Sequence, residues 1–400
     1  MTAARKADLV CLVLGFALPF WTLRWARVYV GPFGLSVPFF ALVVVGIASL
    51  PTLWRERASW QIWWPKGALF VLAGLWLAHV IALLHGDFGD GIQVLLKLAV
   101  GTGAALLLMG LVHLAPVKGK EYFVRGLLIS SAIIFLFLIC YFLFGFHAPT
   151  LGQDLSYFTR AGKNQLGLAL GVLFPVSLAW GARKGWRWFP VLGILAVAIT
   201  YSLSRATWIA AIVGTVAVLL WESHRKRVLG QLAGAVLLSL AFLWFLYPDT
   251  GELARRTIGV VSGEVEEYSF THRVALLRLS GGLLKAHPIL GVGLGEFDRY
   301  ATAESLQPVA HNDYAQVGTE QGVMGLLAFI ALICYALYKG RRWRRQSVIG
   351  VFFYGLVALS AHLFFIDAYD TLWFWCIWGL TIGAVVTTND EDRSLLQQRG

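Results

Sequence analysis

Charge is what this sequence has least of: Asp, Glu, Lys and Arg together make 14% of 400 residues, against 58% hydrophobic residues. Soluble domains carry about 25% charged residues, and a chain this poor in them is excluded from that class. Cysteine is scarce as well. Cys11, Cys140, Cys334 and Cys376 all sit in apolar runs without CxxC spacing, which excludes a zinc finger and a disulfide framework. Acid is the scarcer sign, 22 Asp and Glu against 33 Lys and Arg, for a net charge of +11. In an apolar chain that excess is no nucleic-acid signature, because Lys and Arg orient spans and meet anionic headgroups. Membrane lipids are the expected partners and nucleic acid is not. A mean hydropathy of +0.69 points to a bilayer. So do 17 Trp, 26 Phe and 42 Gly, since Trp favours membrane interfaces and Gly lets helices approach closely. The basic start and apolar run of the first 20 residues end in Leu18-Pro19-Phe20-Trp21, a poor small-residue cleavage site, so a retained first span is expected.

A helical span needs roughly 17–25 mainly apolar residues. Apolar runs between charged or Gly/Pro breaks predict twelve spans, at 8–21, 33–50, 67–84, 92–114, 125–146, 165–181, 188–202, 206–221, 228–247, 322–338, 347–366 and 371–388. With the N-terminus cytoplasmic, the inside segments collect 21 of the 33 basic residues, and the alternation does not slip. Both termini are then cytoplasmic. The chain divides into spans one to nine (1–247), an external segment of 74 residues (248–321), spans ten to twelve (322–388) and a frayed cytoplasmic tail (389–400).

That external segment is the exception among short connections, and such exceptions carry function. Within it Ser269 is placed to cap a helix to about Ala286, with Phe270, Val274, Leu277, Gly281 and Leu284 on one face and Arg273 presented at the membrane surface. The run His287-Pro288-Ile289-Leu290-Gly291-Val292-Gly293-Leu294-Gly295-Glu296-Phe297 is glycine-rich. No strand precedes it, so a tight backbone turn explains it better than a nucleotide loop. His311-Asn312-Asp313 then opens a helix, capped by Asn312 or Asp313, that continues through Glu320 and Gln321-Gly322 into span ten. A lone His at a helix start is more often structural; what raises His311 is the company of outward-side arginines and the lack of a rival base. His79, His113 and His362 lie in apolar runs and read as packed. Glu264, Glu266 and Glu267 form an acidic cluster better read as a solvated face than as a cation site.

Arg205 follows Ser204 at the start of span eight, on the side where basic residues are rare. A capped helix N-terminus with a cation at its mouth suits an anion. Arg160 and Lys163, just before span six, repeat the arrangement, and snorkelling to headgroups is the plainer explanation for each alone. Together these groups suggest a bound phosphate or diphosphate.

Ser204-Arg205 at a span start, Arg273 in the loop helix, the His287-to-Gly293 turn, and His311-Asn312 followed by Glu320-Gln321-Gly322 resemble the O-antigen ligase and polymerase family of bacterial membrane glycosyltransferases. The resemblance is strong over 160–340 and rests on topology elsewhere. It implies an all-α integral membrane protein with the C-type glycosyltransferase fold, in the bacterial inner membrane, with its active site in the large periplasmic loop. It implies transfer of a glycan from undecaprenyl diphosphate, in the ligase branch to a sugar hydroxyl of the lipid A core oligosaccharide. Polymerases and protein O-oligosaccharyltransferases are close relatives; the latter tend to have a longer C-terminal extension, which favours the ligase. Arg205 and Arg273 would then stabilise the leaving diphosphate, with Arg160 and Lys163 as further donor-binding groups. His311 would orient or deprotonate the acceptor hydroxyl, imidazole being the side chain suited to a base at neutral pH. Asn312, Asp313 and Glu320 would support it. The first external loop, Thr22 to Pro32, contains no acid, so neither a metal nor another cofactor is expected. A twelve-span transporter is the rival from another class, and it would show related halves and ionisable groups near the midplane.

Overall fold

The computed structural model describes residues 3–19, 27–30, 33–36, 44, 65–143, 163–202, 204–246, 268–306, 310–345, 347–365, 371 and 373–384. Its helices are α1 (Ala3–Ala17), α2 (Lys66–His85), α3 (Phe88–Leu114), α4 (Val117–Leu143), α5 (Lys163–Lys184), α6 (Phe189–Ser202), α7 (Arg205–Trp221), α8 (Arg225–Leu246), α9 (Tyr268–Ala286), α10 (Phe297–Ala303), α11 (Asp313–Trp343), α12 (Phe352–His362) and α13 (Trp373–Ala384). Among the described residues five stretches are long and apolar enough to cross a membrane: Lys66–His85, Phe88–His113, Val117–Cys140, Leu166–Lys184 and Asp313–Trp343. Four shorter apolar helices accompany them. The protein is thus an α-helical membrane protein.

Two expectations need correction. The all-α class stands with one local exception at the expected start of span two, where Arg27–Val30 (β1) and Phe33–Ser36 (β2) pair antiparallel with Val30 opposite Phe33. Strand β2 occupies the expected start of span two, whose remainder falls outside the described residues apart from residue 44. The signal was present: Val28, Tyr29 and Val30 are strand formers, and Gly31-Pro32 breaks the run before Phe33. Second, several basic residues expected in loops ride on helices. Helix α4 starts at Val117, so Lys118, Lys120 and Arg125 lie on its first turns, and α11 runs on to Trp343. Lys and Arg are good helix formers, and their stems lie along apolar surface while the charge reaches outward, so charge alone does not end a helix.

Helix α5 is the centre of the bundle. In its most apolar window 94% of residues are buried, against 39% for α2 and for α11. It packs against α6, α7, α8 and α12. Small residues permit the approach: a side chain on Gly214 of α7 would meet Pro175 of α5 at 2.6 Å, and one on Gly355 of α12 would meet Val176 at 2.9 Å.

The two ends of this bundle differ. At one end Arg183, near the end of α5, pairs with Glu222 at the C-cap of α7 at 2.9 Å. Arg183 also donates to the carbonyls of Arg344 (2.8 Å) and Ser347 (3.2 Å), and the Tyr354 hydroxyl donates to Glu222 at 3.0 Å. The opposite end gathers the starts of α5, α7 and α11 with the end of α12.

Candidate functional site

The first turn of α7 is built as expected. Ser204 is its N-cap and accepts from the Thr207 amide at 3.5 Å, while Arg205 is exposed at the mouth. Helix α5 presents Gly167 and Gly171 to this turn: a Cβ on Gly167 would collide with Thr207 Oγ1, and one on Gly171 would lie 3.0 Å from Ala210 Cβ. The missing side chains let α5 seat the turn that carries Arg205. Lys163 is the first residue of α5. Arg160 lies outside the described residues, as do Glu264, Glu266 and Glu267.

The start of α11 is also capped. Asn312 accepts from the Ala315 amide at 3.0 Å. His311, one residue earlier, is half-buried and stands in the left-handed region at φ 52. Few side chains other than Asn, Asp and His adopt that conformation, and it fixes how the imidazole leaves the helix start. Asp313 is fully buried, and its amide donates to the Leu363 carbonyl at 2.9 Å. The His311 turn therefore abuts the end of α12.

Arg273 reaches the same place. It lies half-buried on α9, and its positive charge acts on His362, the last residue of α12. A Cβ on Gly171 would come 3.5 Å from both His362 Nδ1 and the Thr207 carbonyl, so the His362 ring lies against the first turn of α7. Arg205, Arg273 and His311, distant in sequence, thus collect around the end of α12. The α9 surface differs from expectation. Helix α9 begins at Tyr268, so Ser269 lies inside it and does not cap it. Its buried face carries Leu276 and Ser280, with Leu279 and Leu283 packed beside Phe297 and Ala301, while Leu277 and Gly281 are exposed. The stripe is rotated because α9 packs on α10 and α11, so those helices choose its buried face.

The glycine-rich turn is a brace. The amides of Val292 and Gly293 donate to the carbonyls of Thr319 (2.9 Å) and Glu320 (3.0 Å), and the Val323 amide donates to Pro288 (2.8 Å). These bonds occupy backbone groups of α11 where Gly322, at φ 66, interrupts it. A side chain on Gly291 or Gly322 would collide with the facing backbone, and both positions need positive φ, so only glycine fits. On its other side the turn grips the link between α2 and α3: Leu294 N donates to Ala82 O at 3.2 Å and Asp87 N to Glu296 Oε1 at 2.7 Å. Glu320 is fully buried; Gln316 donates to its carboxyl at 3.2 Å, and the backbone of Gly295 and Phe297 lies against it. Its place is under the turn, as a lock. His79 completes the brace: Nδ1 donates to Leu75 O at 2.8 Å, leaving Nε2 to accept from Gln321 at 3.1 Å.

Sequence reasoning read both His79 and His362 as packed, which His79, with partners on both nitrogens, is; the place of His362 beside Thr207 and Arg273 was not foreseen. The available signal was that an ionisable side chain inside an apolar span marks function by default. Beside Arg205 the surface is apolar: Trp208, one turn along α7, heads a groove of about 420 Å³ lined also by Phe174, Ile199, Ile212, Val216 and Leu232. Among the described residues no group of three or more His, Cys, Asp or Glu is gathered as for a metal ion.

A family model described as O-antigen ligase matches residues 190–330, rather more than a third of the chain. No curated protein matches the chain. The matched segment runs from α6 into α11 and includes the whole of α9 and α10. The stretch that carries Arg205, Arg273, the glycine-rich turn and His311 lies within the residues that this model matches, in agreement with the resemblance its motifs show.

Proposed function

We propose that the protein is an O-antigen ligase: it transfers O-polysaccharide from undecaprenyl diphosphate to a sugar hydroxyl of the lipid A core oligosaccharide. The carrying observation is that Arg205, Arg273 and His311, all three within the segment that matches the family model, gather around the end of α12. The chain has twelve spans in the bacterial inner membrane, both termini cytoplasmic, and the Arg205 end faces the periplasm. Arg205, the N-terminus of α7 and Arg273 hold the donor diphosphate, with Arg160 and Lys163 at its rim. The apolar groove headed by Trp208 suits the hydrocarbon chain of such a donor.

Chemistry follows from the charges. The acceptor oxygen bonds to the anomeric carbon as the bond from that carbon to the phosphate oxygen breaks. The electron pair leaves on the lipid diphosphate, where the guanidinium groups stabilise it. His311 takes the hydroxyl proton. Attack opposite the leaving group inverts the anomeric centre, and no step needs a metal.

Lipopolysaccharide from a strain lacking the gene tests the assignment. Core-only molecules with accumulated lipid-linked polymer are expected. Core carrying a single repeat unit would identify a polymerase instead, and unchanged lipopolysaccharide would reject both.

A further inference from the structure

His362, at the end of α12, combines deep burial with a lack of hydrogen-bond partners. It is fully buried, and neither Nδ1 nor Nε2 has a hydrogen-bond partner among the described residues. Thr207, fully buried as well, leaves its hydroxyl unpartnered in the same way. The two residues are neighbours, since the gap left by Gly171 is bordered by both the His362 ring and the Thr207 carbonyl. Buried polar atoms left without partners destabilise a fold, and an apolar ring would fill this place more favourably. Stability therefore gives no reason for imidazole here.

Position does. Thr207 lies in the first helical turn of α7, whose N-terminal amides attract anions. Arg273 acts on the His362 ring from α9. Neutral imidazole offers one N–H donor and the threonine hydroxyl another. Two buried donors beside the helix start that carries Arg205, one of them under the charge of Arg273, suit one chemical class, a phosphate oxygen. We propose that His362 and Thr207 form the inner wall of the anion site and donate hydrogen bonds to the deepest oxygen of a bound phosphate or diphosphate. This rests on the reading of Arg205 and Arg273 as a diphosphate site and adds two binding residues to it, one of them outside the segment matched by the family.

The test uses the full chain purified in detergent, with farnesyl diphosphate and inorganic pyrophosphate as probes, by calorimetry. His362→Phe keeps a ring of similar size and removes both nitrogens. It is expected to melt at the same temperature or higher without ligand, and to bind both probes about tenfold or more weakly, the loss of one hydrogen bond to a charged group. His362→Gln, which keeps an N–H donor, should recover part of the affinity, a recovery that mere packing would not produce. Thr207→Val should weaken binding several-fold without loss of fold. Should the phenyl ring fail to fit, His362→Leu carries the same comparison. Wild-type affinity in His362→Phe or His362→Leu together with weak binding by Arg273→Ala would overturn the inner wall and leave the diphosphate reading standing. Wild-type affinity in Arg273→Ala and in the His362 variants alike would overturn both.

Discussion

The two ends of the bundle handle charge in opposite ways. At the Arg183 end cations meet carboxylates or carbonyls: Arg183 with Glu222 at 2.9 Å, Lys184 and Arg125 with Glu121 at 2.6 and 2.8 Å, and Arg227 with the Ala182 carbonyl at 2.7 Å. At the Arg205 end Thr207 Oγ1 and both nitrogens of His362 are buried without partners among the described residues, and Arg273 acts on the His362 ring; the Arg183 end has unpartnered buried atoms as well, as on Gln231, but there the carboxylates and carbonyls meet the cations. The same helices, α5, α7, α11 and α12, reach both ends, so the difference is not one of fold. Paired networks hold helices in place, whereas the proposed anion site needs donors beside a helix start that are left open for a ligand. That division is expected where activity is maintained at some cost in stability.

Breaking each end should therefore give opposite signatures. The largest effect expected is on transfer: His311→Ala should lower it about 10²–10⁴-fold, the usual contribution of a general base. Its melting temperature and donor binding should stay at wild-type values. Near-normal transfer by the purified variant would remove His311 from the chemistry. The counterpart at the other end is Arg183→Ala. Glu222 is 4% exposed in its pair, and a buried carboxylate left without its cation costs about 3–5 kcal/mol. Denaturant titration should show that loss, while donor affinity per folded molecule remains unchanged. Weakened donor binding without destabilisation would mean that the two ends are not divided as described.

How far the sequence foretold this can be judged residue by residue. Periodic apolar runs located most helices to within a few residues, since hydropathy and length dominate in a bilayer. Caps were legible as well: Ser204 and Asn312 announce themselves by residue type and place, and both side chains accept from the turns they precede. The hairpin at 27–36 was missed because Phe33 to Ser36 is as apolar as a span, and apolar runs alone do not separate strand from helix. Helix α9 was found but rotated, because Leu276 and Leu277 differ only in which neighbour they meet. The glycine-rich run was legible as a turn, whereas its two clients, the Gly322 break about 30 residues on and the link between α2 and α3 about 200 residues back, are contacts that no local pattern contains. His362 was hidden for the same reason: its meaning lies in Thr207 and Arg273, on other helices.

A finer division concerns the kind of cation. Arg205→Lys and Arg273→Lys keep the charge but replace a planar fork that matches two phosphate oxygens by a compact point charge. Donor affinity and transfer should each fall about ten- to a hundredfold, the value of a lost hydrogen bond to a charged group. Residues that merely snorkel to headgroups would tolerate Lys, because that role needs only a cation at the interface. Wild-type values for both variants would therefore return these arginines to the structural class that Arg183 represents.

The smallest effect expected is none at all, on removing divalent cations. At the Arg183 end carboxylates are the counter-charges. At the Arg205 end the described carboxylates are not gathered into a group of three or more: Glu320 sits beneath the glycine-rich turn and Glu296 holds the Asp87 amide. The first external loop contributes no acid either. A divalent cation needs several oxygen ligands gathered in one place. On the proposed reading guanidinium neutralises the leaving diphosphate, and transfer measured in EDTA should match transfer in magnesium. Chelation would then leave the Arg205→Lys and Arg273→Lys defects as large as before, since metal and arginine would not be sharing the task. Activity lost in EDTA and restored by magnesium or manganese would reverse the argument. The search for ligands would then move to Glu264, Glu266 and Glu267, outside the described residues, and joint replacement of those three by Gln should reproduce the effect of the chelator.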